Sequence, residues 1–274
     1  MRVRKRALVA KFFADRGTHL AAMIAYFALL SFVPLTFLSL SLLGLAGRAD
    51  ESSFLVREIR RSLPGVPIVR IVSLVNAVRG NAATLGLIGA VVLLWTSLSF
   101  FSVLESAFNI VYDRPNRSFL RGKLLAFVLM IGSLVTLFVA LLAGSIGFGV
   151  ARDYVPGLDN GVVAYALSVA VSTAGVFAFL VSAYYLLTND DDLRVRDVFP
   201  GAALATVGLQ ASFQVLPLYV RYSHVNAAVN VFGGTAILLI WLYVMANVIV
   251  FGAELNWWFG RRRAAKVEEG VGLA

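Results

Sequence analysis

Residues 241–256 read Trp241-Leu242-Tyr243-Val244-Met245-Ala246-Asn247-Val248-Ile249-Val250-Phe251-Gly252-Ala253-Glu254-Leu255-Asn256. They close an apolar stretch from 225 to 256, long enough for a helix rising ~1.5 Å per residue to cross a bilayer. Near its end the stretch sets Glu254 beside Asn256, just ahead of Trp257, Trp258 and the run Arg261, Arg262, Arg263. A carboxylate at that depth is costly in hydrocarbon unless it finds a partner, water or a proton. The stretch therefore decides the fold class, a membrane helix, and poses the functional question of what the rest of the chain offers Glu254.

Composition agrees with the membrane reading. Of 274 residues, 59% are hydrophobic and 14% charged, against about 25% charged in a soluble domain. No cysteine is present, which removes disulfides, thiolate metal sites and cysteine nucleophiles, and the two histidines, His19 and His224, cannot build a multi-histidine centre. The net charge of +9 sits mostly between apolar spans, where Lys and Arg set topology and meet anionic headgroups. Without a reading motif on a basic face, nucleic acid is not an expected partner. Basic residues do precede an apolar run at the N-terminus, but residues 17–47 carry no Asp, Glu, Lys or Arg over 31 positions, far beyond the ~7–15 apolar residues of a signal peptide. That run is expected to stay as a membrane span.

Six spans follow at about 20–45, 84–111, 124–150, 162–188, 198–220 and 225–256. Pro34 falls inside the first and is expected to kink it. Residues 1–19 read as a basic cytoplasmic segment, with Phe12 and Phe13 suited to an interfacial helix, and 261–274 as a cytoplasmic tail. Between spans one and two, residues 48–81 show an apolar face at Leu55, Ile59 and Leu63, a break at Pro64-Gly65-Val66-Pro67, and a second face from Ile68 to Val78. They are expected to be short amphipathic helices on the outer surface. With both termini inside, sixteen Lys and Arg fall on the inner side and eight outside, although six Arg in the 48–81 loop oppose the trend. The fold class is all-α, a single polytopic domain with no evident internal repeat.

Polar residues within the spans fall on stripes. Ser102, Glu105, Asn109 and Tyr112 share a face of span two; Thr206, Gln210, Gln214 and Arg221 line span five; Tyr243, Asn247 and Glu254 line span six. Ser102, Glu105, Asn109, Gln210, Gln214, Tyr243, Asn247 and Glu254 are accordingly the candidate polar cavity. Pro34 and the pair Gly233 and Gly234 are candidate hinges, and no cofactor or metal site is expected. Of the two carboxylates Glu105, deeper in its helix, is the better candidate for mechanism. The plainer reading is interhelical bonding at about 0.6 kcal/mol apiece, with Glu254 paired to an Arg of the 114–121 loop. Small-residue ladders at Gly132, Thr136, Ala140 and Gly144, and at Ser168, Ser172, Gly175 and Ser182, are expected to be packing faces. The run Asp190-Asp191-Asp192 reads as a solvated turn.

Several ordered motifs resemble the YihY/BrkB family of bacterial inner-membrane proteins. They are Ala25-Tyr26-Phe27-Ala28-Leu29-Leu30-Ser31-Phe32-Val33-Pro34, Trp95-Thr96-Ser97, Phe108-Asn109-Ile110-Val111-Tyr112, Pro200-Gly201-Ala202, Trp241-Leu242-Tyr243 and Gly252-Ala253-Glu254-Leu255-Asn256. The resemblance implies a six-helix protein of the cytoplasmic membrane, in a family linked to serum resistance and to movement of lipid or lipopolysaccharide precursors. The family's older ribonuclease BN label fits poorly, because hydrolysis of RNA needs a metal cluster or a reachable acid and base pair. One departure is Thr188, where the resemblance leads one to expect a nearby proline. The leading expectation is a transporter or flippase for a lipid or amphiphilic solute, not an enzyme. The competitor is a non-transporting scaffold or envelope-integrity protein. Expected partners are membrane lipids, with anionic headgroups at the basic loops, and a homo-oligomer is allowed.

Overall fold

The computed structural model describes residues 8–45, 82–142, 161–222 and 226–271. The expected amphipathic loop, residues 48–81, lies outside the described residues, as do His224, the first seven residues and the end of the expected tail. Among the described residues the elements are α1 (Leu8–Ala14), α2 (Gly17–Leu45), α3 (Ala82–Val111), α4 (Phe119–Leu142), α5 (Gly161–Leu187), a 3-10 turn (Val195–Asp197), α6 (Phe199–Tyr222) and α7 (Asn226–Val271). No strand occurs among them.

Three stretches are long and apolar enough to cross a membrane, Leu94–Val111, Val169–Leu187 and Ala236–Arg261, and Gly17–Phe32 is apolar but shorter. The outward faces carry Trp95, Val128, Val171, Val207 and Ile240, all exposed. Helices apolar on every side are at home in lipid rather than water. α2 and α7 are helical through Pro34 and through Gly233 and Gly234 respectively, and α7 runs on from the last span into the expected tail as one helix.

The long α7 is the axis of the bundle. It packs mainly against α2 and α6, while α3 lies on α2, α4 on α3 and α5 on α6. Near the α7 axis the core is built from small and aromatic side chains, among them Ala21, Ala25, Ala202, Ala205, Phe108 and Tyr184. In lipid such packing, not withdrawal from water, holds helices together.

The tightest approach joins α6 to α7. A Cβ on Gly201 would run into the Gly252 carbonyl oxygen and the Asn256 side chain, and one on Gly252 would lie 2.5 Å from the Tyr184 hydroxyl and 2.8 Å from the Gly201 carbonyl oxygen. Close approach lets Asn256 Oδ1 accept the Gly201 N–H at 2.6 Å, one of the amides that a helix N-terminus leaves without an internal partner. Tyr184 donates its hydroxyl to the Ile249 carbonyl at 2.7 Å, adding α5. These contacts explain physically the motifs Pro200-Gly201-Ala202 and Gly252-Ala253-Glu254-Leu255-Asn256.

The small-residue ladders of spans three and four behave differently from the expectation. Gly132 and Gly175 are exposed, and a Cβ on either would meet nothing within 4 Å. Ser172 of the second ladder nevertheless accepts from Gln210 of α6, and the side chains of Thr136 and Ala140, with Gly144, lie outside the described residues.

Gly201→Val is expected to destabilise the protein by about 1–3 kcal/mol or more through overpacking, read as a lowered unfolding temperature in detergent. Gly260→Ala, whose added Cβ meets nothing within 4 Å, is expected to leave that temperature unchanged.

Candidate functional site

α1 packs against α7 and α2, and Lys11 on it is buried, 5% exposed. Its ammonium donates to the Asp15 carboxylate and to the Val111 carbonyl at 2.8 Å, and stands 3.0 Å from Glu254 Oε2. A lysine ammonium has three donors and no acceptor; two hydrogen bonds go to the turn after α1 and the end of α3, and Glu254 of α7 is met as an ion pair. The Trp257 ring adds a cation–π contact at 4.2 Å. Val111 belongs to the last turn of α3, where free carbonyls and the negative end of the helix dipole favour a cation. α3 closes there with Arg114 N–H bonded to the Asn109 carbonyl and Asp113 N–H to the Ile110 carbonyl, Asp113 taking φ 54°. This is a left-handed helix cap in the Schellman form.

Glu254, wholly buried, therefore has a partner that differs from the expected arginine of the 114–121 loop. The reason is that α1 folds inward: Lys11 and Phe12 are buried and only Phe13 of the aromatic pair faces out. Lys11 could have been noticed in the sequence, since it alone among the N-terminal cations is flanked by Leu8, Val9, Ala10, Phe12 and Phe13, with Asp15 one helical turn on. The loop arginine turns instead to Glu105. Arg117 sits 3.4 Å from Glu105 Oε1 and donates to the carbonyls of Leu187 at 2.7 Å and Thr188 at 3.0 Å. It closes the C-terminus of α5, which ends at Leu187 without the proline expected near Thr188.

The eight candidate cavity residues fall in several places. Ser102, Glu105 and Asn109 form one group along α3, all held by polar partners. Lys123 donates to Ser102 Oγ at 3.0 Å, and Asn109 accepts the Asn189 N–H at 2.7 Å while donating to Asn116 at 3.2 Å. Gly122 leaves room for Glu105, whose Oε2 would stand 2.9 Å from any Cβ there. Gln210 instead reaches α5, donating to Thr173 Oγ1 at 3.1 Å and Ser172 Oγ at 3.4 Å. Gln214 is exposed on α6. Tyr243 and Asn247 sit half-buried on α7, Asn247 donating to the Tyr243 carbonyl at 2.8 Å.

Two hollows are lined by chain neighbours of the Lys11–Glu254 pair, Phe12 and Phe251 in one and Asn256 and Trp257 in the other. An apolar groove of about 450 Å³ is lined by Phe12, Leu204, Val207, Asn247, Val248 and Phe251. A polar cleft of about 490 Å³ opens at the end of the bundle, with Tyr112, Asn256 and Trp257 in its lining and Asp190, Asp192 and Arg261 among its charged residues. Asp190, first of the aspartate run, is bonded to Arg114 at 2.7 Å. The Tyr112 hydroxyl, Asn256 Nδ2, Trp257 Nε1 and both carboxylate oxygens of Glu254 are buried without hydrogen-bond partners. Burial, reinforced by the charges of Asp190, Asp197 and Glu254, holds the Tyr112 phenol well above the usual tyrosine range, so it is a donor. Among the described residues no group of three His, Cys, Asp or Glu is placed to hold a metal ion.

Lys11→Met is expected to cost about 3–5 kcal/mol, because it strands two carboxylates and a carbonyl. Adding Glu254→Gln to it is expected to recover part of the loss. A double-mutant cycle on unfolding in detergent should give a coupling of about 0.5–3 kcal/mol; strict additivity would mean that the pair does not act as one.

Comparison with known proteins agrees with the sequence motifs. The family described as Virulence factor BrkB matches residues 8–271, from the first residue of α1 to the last of α7. The chain is similar to the ribonuclease-like protein YfkH of Bacillus subtilis, 27% identical over 258 residues covering 92% of this chain and 93% of that one. It is also similar to a UPF0761 membrane protein of Nitrosospira multiformis, 26% identical over 258 residues and covering 90% of this chain but 58% of the relative. A UPF0761 membrane protein of Rhodospirillum centenum is 27% identical over 275 residues, covering 96% of this chain and 59% of the relative. The chain thus spans little more than half the length of these two longer relatives. No solved structure matches. With the match running through every described helix, the chain belongs to the BrkB family of membrane proteins.

Proposed function

We infer that the protein binds and moves an amphiphile, a lipid or an amphiphilic solute, as a transporter or flippase rather than as an enzyme. In this reading it crosses the bacterial cytoplasmic membrane six times with both termini inside, and the charged end of the bundle faces the cytoplasm. The observation that carries the reading is a buried Lys11–Glu254 pair whose chain neighbours line both an apolar groove, through Phe12 and Phe251, and a polar cleft, through Asn256 and Trp257. An amphiphile needs both environments side by side, apolar surface for its chains and hydrogen-bonding groups for its head. The groove lies open on the face of α6 and α7, where Val207 and Leu204 are exposed, so a chain can enter it from surrounding lipid.

An intramembrane ion pair marks a functional site by default, because a purely structural tie is made at lower desolvation cost by packing. Both oxygens of the buried Glu254 lack a hydrogen-bond partner, so the pair retains acceptor capacity that a proton can use. Glu105 and Asn109 take supporting roles here, since their polar atoms already hold the 114–118 loop and the end of α5. The competing reading, a non-transporting scaffold, draws on those same saturated contacts.

Reconstitution into liposomes with a headgroup-labelled lipid separates the two. Transport predicts label crossing between leaflets well above protein-free vesicles, reduced tenfold or more by Glu254→Gln at equal insertion and unchanged by the outward-facing Gly175→Ala. Absence of flux in the native protein, with lipid and with a soluble amphiphile alike, would favour the scaffold.

A further inference from the structure

The polar cleft carries more chemical information than its size. Its inner lining consists of donors without acceptors: the Tyr112 hydroxyl on a residue 7% exposed, Asn256 Nδ2 on a residue 1% exposed, and the Trp257 indole N–H. The Asn256 oxygen is taken by the Gly201 N–H, which leaves its amide nitrogen without a partner on a residue that lines the cleft. Buried donors without partners each cost about 1–3 kcal/mol, and three lining one hollow describe the shape of a missing acceptor. Arg261, stacked on Trp257 at 5.2 Å, adds a cation to that side.

The outer lining has the opposite character. Asp190 is neutralised by Arg114, and Asp197 accepts the Arg194 N–H, but Asp113 and Asp192 line the same cleft as exposed carboxylates. Donors within and carboxylates at the mouth do not suit a simple anion, which the aspartates would repel, nor a simple cation, which the buried donors cannot serve. They suit one ligand bearing both charges a few bonds apart.

We propose that the cleft lined by Tyr112, Asn256 and Trp257 binds a zwitterionic headgroup, a phosphate ester bearing an amine. The phosphate oxygens accept from the three buried donors and Arg261, and the ammonium lies against Asp113 and Asp192. Charge-assisted bonds of this kind are short and about twice as strong as neutral ones. The assignment rests on the amphiphile reading above and names its substrate class. The same chemistry is present in a lipid headgroup and in free phosphoethanolamine.

Isothermal titration of the full chain in detergent tests it. The probes are a short-chain phosphatidylethanolamine, a short-chain phosphatidylglycerol, a short-chain glucosyl diglyceride, phosphoethanolamine, inorganic phosphate and ethanolamine. The zwitterionic lipid is expected to bind at least tenfold more tightly than the anionic lipid or the glycolipid. Tyr112→Phe, which removes only a hydroxyl without a partner, is expected to weaken it about three- to tenfold with no loss of thermal stability. Asp192→Asn is expected to narrow the preference over phosphatidylglycerol. Phosphoethanolamine binding as tightly as the lipid supports the zwitterion and assigns the site to a soluble ligand; tighter lipid binding supports it and assigns the site to a membrane ligand. Equal affinity for the anionic lipid or inorganic phosphate, tighter binding of the glycolipid, or unchanged affinity in both variants would overturn the proposal. Binding without flux removes the transport reading and leaves this one; flux without zwitterion-selective binding does the reverse.

Discussion

One ammonium group ties the described bundle together. Lys11 carries it on a seven-residue helix that could not hold itself in water or lipid, hydrogen-bonded to Asp15 and the Val111 carbonyl and ion-paired with Glu254. Desolvating a lysine so completely is tolerable only because two carboxylates and a carbonyl surround it and because the end of α3 adds the negative pole of a helix. The requirement runs both ways. Glu254 is tolerable on α7 only while Lys11 is in place, and Lys11 is in place only while Phe12 and the surrounding helices close over it.

A second arginine-centred tie lies beside the first. Arg117 joins Glu105 on α3 to the last carbonyls of α5, and Asn109 joins the same two helices through Asn189. Each tie satisfies a helix terminus with a side chain from elsewhere in the sequence. In a bilayer that is the recurring problem at every helix end near the hydrocarbon, since lipid offers no bonding partner. The bundle solves it by bringing its ends together and letting them cap one another, and the polar cleft is lined by residues of these ends.

The helices were legible in the sequence because hydropathy acts over twenty or more residues and needs no knowledge of neighbours. All six expected spans overlap a long helix, and Asp113-Arg114-Pro115 ends α3 as its turn chemistry requires. What the described residues show as apolar enough to cross is nevertheless three stretches, Leu94–Val111, Val169–Leu187 and Ala236–Arg261. Partnerships were much less legible. Periodicity put Glu105 and Asn109 on one face correctly, yet gave no sign that Arg117 would meet Glu105 and that Lys11, a hundred residues from Val111, would meet Glu254. Gln210 and Gln214 shared a stripe in the sequence but part company in space, one turned to Thr173 and the other outward. A stripe four residues apart covers a broad arc of helix, and only the neighbours decide which part of it is inside.

The close crossing of α6 and α7 sets the mechanics of the molecule. Gly201 and Gly252 leave no room for rotation of either helix about its axis, and the bonds from Gly201 to Asn256 and from Tyr184 to the Ile249 carbonyl lock α5, α6 and α7 into one block. Turning any of the three would break a bond that hydrocarbon cannot replace. The block is not isolated: α2 packs on α7 as extensively as α6 does, and Arg117 and Asn109 fasten α3 to the end of α5, so a turn of any of these helices would be felt across the whole described bundle.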